Sequence, residues 1–532
     1  MSSIFLTGCT LLVLTAPAAL AGYADDTGYT QLKTELGAAM LTGAGVDMTQ
    51  VEGGGAGVYM AQGGSGTFAG TGFWAGKMFT AKSGDSVFFD HAYLVAQYMY
   101  GDNTNFSTSN SSMCPGVVNV DCYTAAAWLE DFLAPTAANL APLVESRAVQ
   151  NHSWVYDANP ANPGEPAYVN DLVRRQDFSI NRDNYVACVG LNNGSLSVIP
   201  DIFASAYNVI SVGLTNGEHS RGTVTPDMDG PGRRKPEIVS PTNVESVATS
   251  FSTGYVSSAA GLLRAKANVI NTDHARSNRT IKAVLLAGAT KDEFPAWAKS
   301  AAHPLDPVFG AGELNIYNSY HILDGGEQPA DAATGRPYFG WDLNSLNANG
   351  TAVYRLNIPA GMAGVELSAF IVWHRLPSDN PLTGPFDLGN DPLFNFNLTL
   401  FRDPVAGGAA VTIDSSTSTL YNIEHVWKKN LTAGNYRLRV SRTGGAAHDY
   451  AIAWRLTAAP HQPEPQMTTA GNSFNFTFPG LITGQPYLFQ SSPNMVTWTD
   501  IEAFTAGGPT ETRVILLPAG PRLFYRLLPV LP

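Results

Sequence analysis

Ser250, His91, Glu52 and Asn192 are of the residue types that nucleophilic acyl chemistry uses, and each lies beside an element boundary in this chain of 532 residues. A serine hydroxyl is a poor nucleophile until a base takes its proton. Imidazole can do that near neutral pH, where its unperturbed pKa lies. The imidazolium so formed needs an anion at its other nitrogen, and a tetrahedral oxyanion needs N–H donors. Taken singly, each residue also has a plainer reading. A serine at a helix start is an N-cap. A histidine there is a cap or surface residue, and a glutamate ending a strand is a solvated group. An asparagine in Asn-Asn-Gly is a turn residue. Residue type alone leaves both readings open.

The elements that would position these groups are legible. Residues 235–268 read KPEIVSPTNVESVATSFSTGYVSSAAGLLRAKAN. Tyr255, Val256, Ala259, Ala260, Leu262, Leu263 and Ala267 recur at helical spacing. Few charges precede Arg264, so the helix is expected to be buried nearly all round. Ser250 then sits at its mouth, where unpaired N–H groups and the helix dipole favour negative charge. Residues 43–54 (GAGVDMTQVEGG) predict a short strand that two glycines end, with Glu52 last. Residues 90–101 (DHAYLVAQYMYG) predict a helix with His91 at its start, and residues 123–133 predict another. Tyr185 to Val189 reads as a buried parallel strand leading into GLNNG.

Together these segments resemble the subtilases, the subtilisin-like serine proteases. KPEIV followed by ATSFSTGYVSSAAGLL is similar to the family's nucleophile region, with Thr249, Ser250 and Ser252 matching. Ala248 stands where Gly is usual and Gly254 where Pro is usual. The resemblance implies Ser250 as nucleophile. GAGVDMTQVEGG resembles the first catalytic strand and puts Glu52 at the family's aspartate position. His91-Ala92-x-x-Val95-Ala96 resembles the histidine motif and implies His91 as base. GLNNG resembles the oxyanion motif and implies Asn192 as donor. AVQNHSWV (residues 148–155) resembles the strand that pairs with substrate, which implies Ser153, Trp154, Val155 and Leu191 as substrate-binding residues. Val155 and Leu191 stand where glycine is common, so a short apolar first pocket is expected if both side chains enter it. Glutamate as the acid also occurs in sedolisins, but their motif lacks the histidine, and His91 argues against that relation.

The resemblance covers residues 43–325, with several landmarks in family order, and implies a subtilisin-like catalytic domain over residues 22–325. It implies an α/β fold, a subtilisin-like parallel sheet flanked by helices. Residues 326–459 change to short alternating runs such as AVYRLNI and NYRLRV, read as a β-sandwich accessory domain. APHQPEP is a Pro-rich linker, and residues 460–532 read as a small third β-domain, so all-β sandwich domains follow the α/β part. The implied function is an exported serine endopeptidase acting on protein or peptide substrates. The alternative is a catalytically silent subtilase-fold binding or surface scaffold, since fold does not guarantee function. The β-domains would bind a surface or polymer. No cofactor or metal is expected. Calcium is common in the family, but no loop carries a convincing ligand set, and residues 227–230 (Asp-Met-Asp-Gly) read as a turn.

Composition agrees with a loop-rich, partly β protein: 52 Gly, 34 Pro, 44% hydrophobic and only 14% charged residues. A net charge of −13 offers no basic patch for nucleic acid. Residues 1–21 resemble a secretory signal, with Ala19-Leu20-Ala21 as a small-x-small cleavage site, although no Lys or Arg lies near the start. A lipoprotein box at Leu6-Thr7-Gly8-Cys9 is disfavoured because it precedes most of the apolar run. A secreted or periplasmic, non-membrane-spanning protein is expected. Residues 22–43 form a lead too short for the inhibitory propeptide of many exported subtilases. In an exported protein Cys114 and Cys122 are expected to pair and Cys188 to remain a buried thiol.

Overall fold

The computed structural model describes residues 23–55, 57–70, 72–102, 112–134, 140–157, 165–225, 228–230, 232–241, 248–379, 386–389, 391, 393–404, 408–460, 466–481, 483–516 and 523–530. The expected signal segment, Asp227 and most of the Pro-rich linker lie outside them.

Seven short strands form a parallel sheet: β1 (Met48–Glu52), β2 (Met78–Ala81), β3 (Asn119–Thr124), β4 (Val149–His152), β5 (Val186–Gly190), β6 (Ile210–Leu214) and β7 (Ile238–Ser240). Their order is β7-β6-β5-β4-β1-β3-β2, and Gly66–Thr67 adds an antiparallel edge beyond β2. Strand side chains alternate between faces. Met48 and Cys188 face one apolar core, while Val51, Ala187 and Val189 face another. Both faces are therefore covered, as a parallel sheet requires. Helices α1 (Asp90–Met99), α3 (Thr249–Ile270), α4 (Asn278–Gly288) and α5 (Ile316–Asp324) contribute to the first core, and α2 (Glu165–Asp183) to the second.

α3 is buried nearly all round, as its composition predicts. Its N-cap is Ala248, so Ser250 is the second helical residue and not the cap. Residues 123–133 are not one helix: β3 runs to Thr124, whose hydroxyl caps a short helical turn, and a π turn follows over Trp128–Phe132. The turn is packed by Trp128 stacked on Phe132.

Two further sheets lie face to face around one apolar core that includes Tyr354, Leu398 and Trp454. One has the order Asp331–Gly335, Thr351–Ile358, Gly434–Thr443, Asn395–Arg402, Val411–Ser416; the other has Phe339–Leu346, His448–Pro460, Met362–Trp373, Ile423–Leu431. The second packs on α4, and Phe370, Val372, Ile423 and Ala453 share a continuous core with Ile281 and Leu285 of that helix. α4 is consequently buried on almost every side. Two three-stranded sheets between Gln466 and Pro529 enclose a small separate core around Phe476, Phe478 and Phe489. The fold class is thus α/β, a parallel sheet flanked by helices followed by all-β layers, as expected.

The cysteines correct an expectation. Cys114, Cys122 and Cys188 are free and buried. Cys122 sits inside β3, paired in register with Gln50 and Ala81. Cys114 precedes that strand and donates from Sγ to the Ser258 carbonyl of α3 at 3.0 Å. Cys122 is thus fixed within β3 and Cys114 against α3, and burial pushes the Cys114 thiol up to about 12, so both behave as small apolar groups.

Candidate active site

β1 ends in Glu52 because Gly53 and Gly54 stop it, and the carboxylate is left fully buried at the strand end. α1 begins beside it, with His91 in the first turn. His91 Nδ1 lies 2.7 Å from Glu52 Oε2, and the imidazole side chain is 33% exposed while the carboxylate is 0% exposed. Burial pushes the imidazole pKa down, but the hydrogen bond and the charge of Glu52 outweigh it, so His91 titrates above its ordinary value.

Side chains two apart on a strand share a face. Gln50 therefore lies beside Glu52, and its Nε2 donates to Glu52 Oε1 at 2.7 Å and to the Ala92 carbonyl at 2.9 Å. The Tyr100 hydroxyl donates to Gln50 Oε1 at 2.6 Å.

α1 and α3 cross closely. A Cβ built on Gly254 would meet the Val95 carbonyl at 2.8 Å, which explains glycine at that position. Phe251, next to Ser250, places its ring 6.2 Å from the His91 ring and 5.6 Å from that of Tyr98. His91 and Ser250 are thus carried on packed helices, but among the described residues no hydrogen bond joins them; the bond His91 makes is to Glu52.

The mouth of α3 is held from outside. Asn193 Oδ1 accepts from the Thr249 N–H at 2.9 Å, and the Thr249 hydroxyl donates to the Leu191 carbonyl at 2.5 Å. The N–H groups of Phe251 and Ser252 turn back to the Ala248 carbonyl at 3.1 and 3.5 Å. The Ser250 N–H forms no such bond among the described residues. On the far side, Ser153 Oγ donates to the Ser250 carbonyl at 2.9 Å, and Asn151 Nδ2 donates to Ser153 Oγ at 2.8 Å. Asn192 is fixed by its backbone, which exchanges bonds with Ser220, leaving its carboxamide partly exposed.

Ser153, Trp154, Val155, Leu191, Asn192 and Ser250 surround one cavity of about 110 Å³, joined by Gly190, Asn193 and Thr249. Glu52 and His91 are not among its lining residues. Leu191 is 1% exposed and belongs to the apolar core with Val189 and Phe203, whereas Val155 is 42% exposed. Leu191 thus packs in that core as well as lining the cavity. Among the described residues no group of three or more His, Cys, Asp or Glu side chains is placed to hold a metal ion. No helix among them is long and apolar enough to cross a membrane.

Four residues at this site carried no role in the sequence reading: Gln50, Tyr100, Asn151 and Asn193. Two had a signal. Gln50 precedes Glu52, and Asn151 precedes Ser153, by the two-residue strand period. Asn193 and Tyr100 reach their partners across the fold, and nothing local marks them.

No family model and no curated protein matches this chain. Among solved structures it is similar to MycP1 with the N-terminal propeptide removed, at 16% identity over 56% of this chain and 97% of that one, with a TM-score of 0.34. It is also similar to fervidolysin from Fervidobacterium pennivorans, a keratinolytic enzyme related to subtilisin, at 11% identity over 96% and 72% of the two chains, with a TM-score of 0.35. Tripeptidyl peptidase 2 is a third, at 10% identity over 83% of this chain and 51% of that one, with a TM-score of 0.29. At these TM-scores no residue role is carried across.

Proposed function

We propose that this protein is an exported subtilisin-like serine endopeptidase that hydrolyses peptide bonds. The reading is carried by one observation, the 2.7 Å contact between His91 Nδ1 and a fully buried Glu52 carboxylate, on a helix packed against the helix that bears Ser250. In this reading Glu52 holds the imidazole with its proton on Nδ1, leaving Nε2 free to take the Ser250 Oγ proton. Ser250 attacks the scissile carbonyl. The oxyanion is met by the Ser250 N–H, at the positive end of a 22-residue helix, and by the Asn192 carboxamide. His91 then returns its proton to the leaving amine, water repeats the sequence on the acyl-enzyme, and Glu52 stays ionised throughout. Ser153, Trp154 and Val155 line the substrate side. Substrates are proteins or peptides, and the β-domains engage a surface or polymer.

One observation favours the second reading, a silent scaffold: the missing hydrogen bond between Ser250 and His91. Catalytic hydrogen bonds are often long or misaligned before substrate binds, so this does not outweigh the acid–base pair. A serine-directed fluorophosphonate decides between the two. Covalent labelling that maps to Ser250 and vanishes in Ser250→Ala supports the peptidase. A folded protein that takes no label is the scaffold.

A further inference from the structure

Glu52 is held by more than its partner base. One oxygen faces His91 Nδ1, and the other accepts from Gln50 Nε2 at 2.7 Å. The second proton on Gln50 Nε2 goes to the carbonyl of Ala92, the residue after His91. Gln50 Oε1 accepts from the Tyr100 hydroxyl. Gln50, Glu52 and Tyr100 are all at most 1% exposed, so these bonds are shielded from bulk solvent.

A carboxamide has two N–H protons and one carbonyl, and here each has a partner. Only one orientation fits. Turned over, its oxygen would face a carboxylate and a carbonyl, two acceptors, and its NH₂ would face Tyr100. The Glu52 carboxylate and the Ala92 carbonyl, both acceptors only, therefore select the orientation that sends the NH₂ to them, and the tyrosine hydroxyl holds the oxygen that is left. Glutamate needs this more than aspartate would, because it has one more rotatable bond. A buried carboxylate without donors is also costly, and a buried polar network is stable only when every member is satisfied.

We infer that Gln50 and Tyr100 are positioning residues for the Glu52–His91 pair: one carboxamide ties the carboxylate to the backbone of the helix that carries the base, and the tyrosine hydroxyl satisfies and anchors that carboxamide's oxygen. The inference rests on the proposed catalytic reading, but the geometry it describes exists whether or not the protein turns over substrate.

The test uses the full chain labelled at histidine, with the His91 signal assigned by its loss in His91→Gln. Glu52 is the charged group facing His91, and the neighbouring rings of Phe89 and Phe251 are neutral. In the wild type His91 should titrate above the ordinary imidazole value. In Gln50→Leu and in Tyr100→Phe the titration moves to lower pH, because the carboxylate that raises it is no longer held. On a peptide substrate kcat falls by about ten- to a hundredfold, the scale of a misplaced catalytic group, while KM stays within about twofold. Tyr100→Phe removes a single oxygen and keeps the ring packing, so the fold survives in at least that variant. Unchanged His91 titration in both variants overturns the inference, as does a loss seen only in KM or only in thermal stability. If the wild type takes no fluorophosphonate while the titration moves, the proposed function falls and the positioning role stands.

Discussion

Glutamate at position 52 puts its carboxylate one methylene further from the strand than aspartate would. The fold accommodates that length with two donors, one from His91 and one from Gln50, so both oxygens are engaged. Glu52→Gln keeps the shape but offers His91 no charge, and it places an amide where the imidazole needs an acceptor. It should lower kcat/KM by roughly a thousand- to ten-thousandfold, the scale seen when a triad carboxylate becomes an amide. Glu52→Asp keeps the charge but falls short of both partners, and should lose about ten- to a hundredfold. Steady-state kinetics on one peptide substrate ranks the three, and a Gln variant equal to wild type would remove Glu52 from the mechanism. The pH dependence follows from His91. On the proposed reading its neutral form is the base, and Glu52 raises its pKa, so kcat/KM should rise with pH through a midpoint above the ordinary imidazole value. In Glu52→Gln that midpoint should move down.

On the proposed reading, the spacing of α1 and α3 sets whether His91 and Ser250 meet. Gly254 governs that spacing. Alanine in a helix interior ordinarily gains up to about 1 kcal/mol over glycine. Here its methyl would meet the Val95 backbone carbonyl at 2.8 Å, with Val95 Cγ1 and Tyr98 Cβ at 3.4 and 3.5 Å, and a backbone carbonyl in a packed helix has nowhere to go. Gly254→Ala should therefore lower the thermal midpoint instead of raising it, and should reduce kcat more than KM by moving His91 away from Ser250. A variant of equal or greater stability with wild-type kcat would show that the helices can part without consequence. Leu191 lines the cavity and also packs in the core. Leu191→Gly would strip a core side chain beside Val189 and Phe203, so its main effect should be on stability and not on the size of residue accepted.

The α/β part and the β-sandwich are joined through α4. Phe370, Val372 and Ile423 share a core with Ile281 and Leu285, and full burial of side chains of this size is worth about 1.5–3 kcal/mol each. Polar contacts reinforce the junction. Arg375 pairs with Asp229 at 3.2 Å, and Asn422 Nδ2 donates to the Tyr207 carbonyl at 2.9 Å. A chain ended after Gly325 would expose one face of α4 and should aggregate or fail to give a cooperative melt. A chain ended after Pro460 loses only sheets with a separate core, and should keep the midpoint of the remaining protein. Scanning calorimetry of the two truncations checks this. A well-folded chain ending at Gly325 would make the two parts independent.

Several features follow from the residues in order. α3 is buried because its run of Ala, Val and Leu has almost no charge, and the strand at Met48–Glu52 stops where two glycines begin. The alternating runs after residue 336 become strands with the same alternation, since a period of two commits one face to a core. Gln50 beside Glu52 is legible for the same reason. Other features depend on which elements the fold brings together. The pairing of His91 with Glu52 joins a helix start to a strand end 39 residues away. Asn193, and not only its neighbour Asn192, reaches the α3 mouth, and Tyr100 comes back from the far end of α1 to hold Gln50. Cys114 and Cys122 stay apart although close in the chain, because one is packed under α3 and the other locked into the sheet. Local sequence sets periodicity and the points where elements stop. The partners of a buried polar atom depend on which elements pack against it, and that is decided only when the whole core closes.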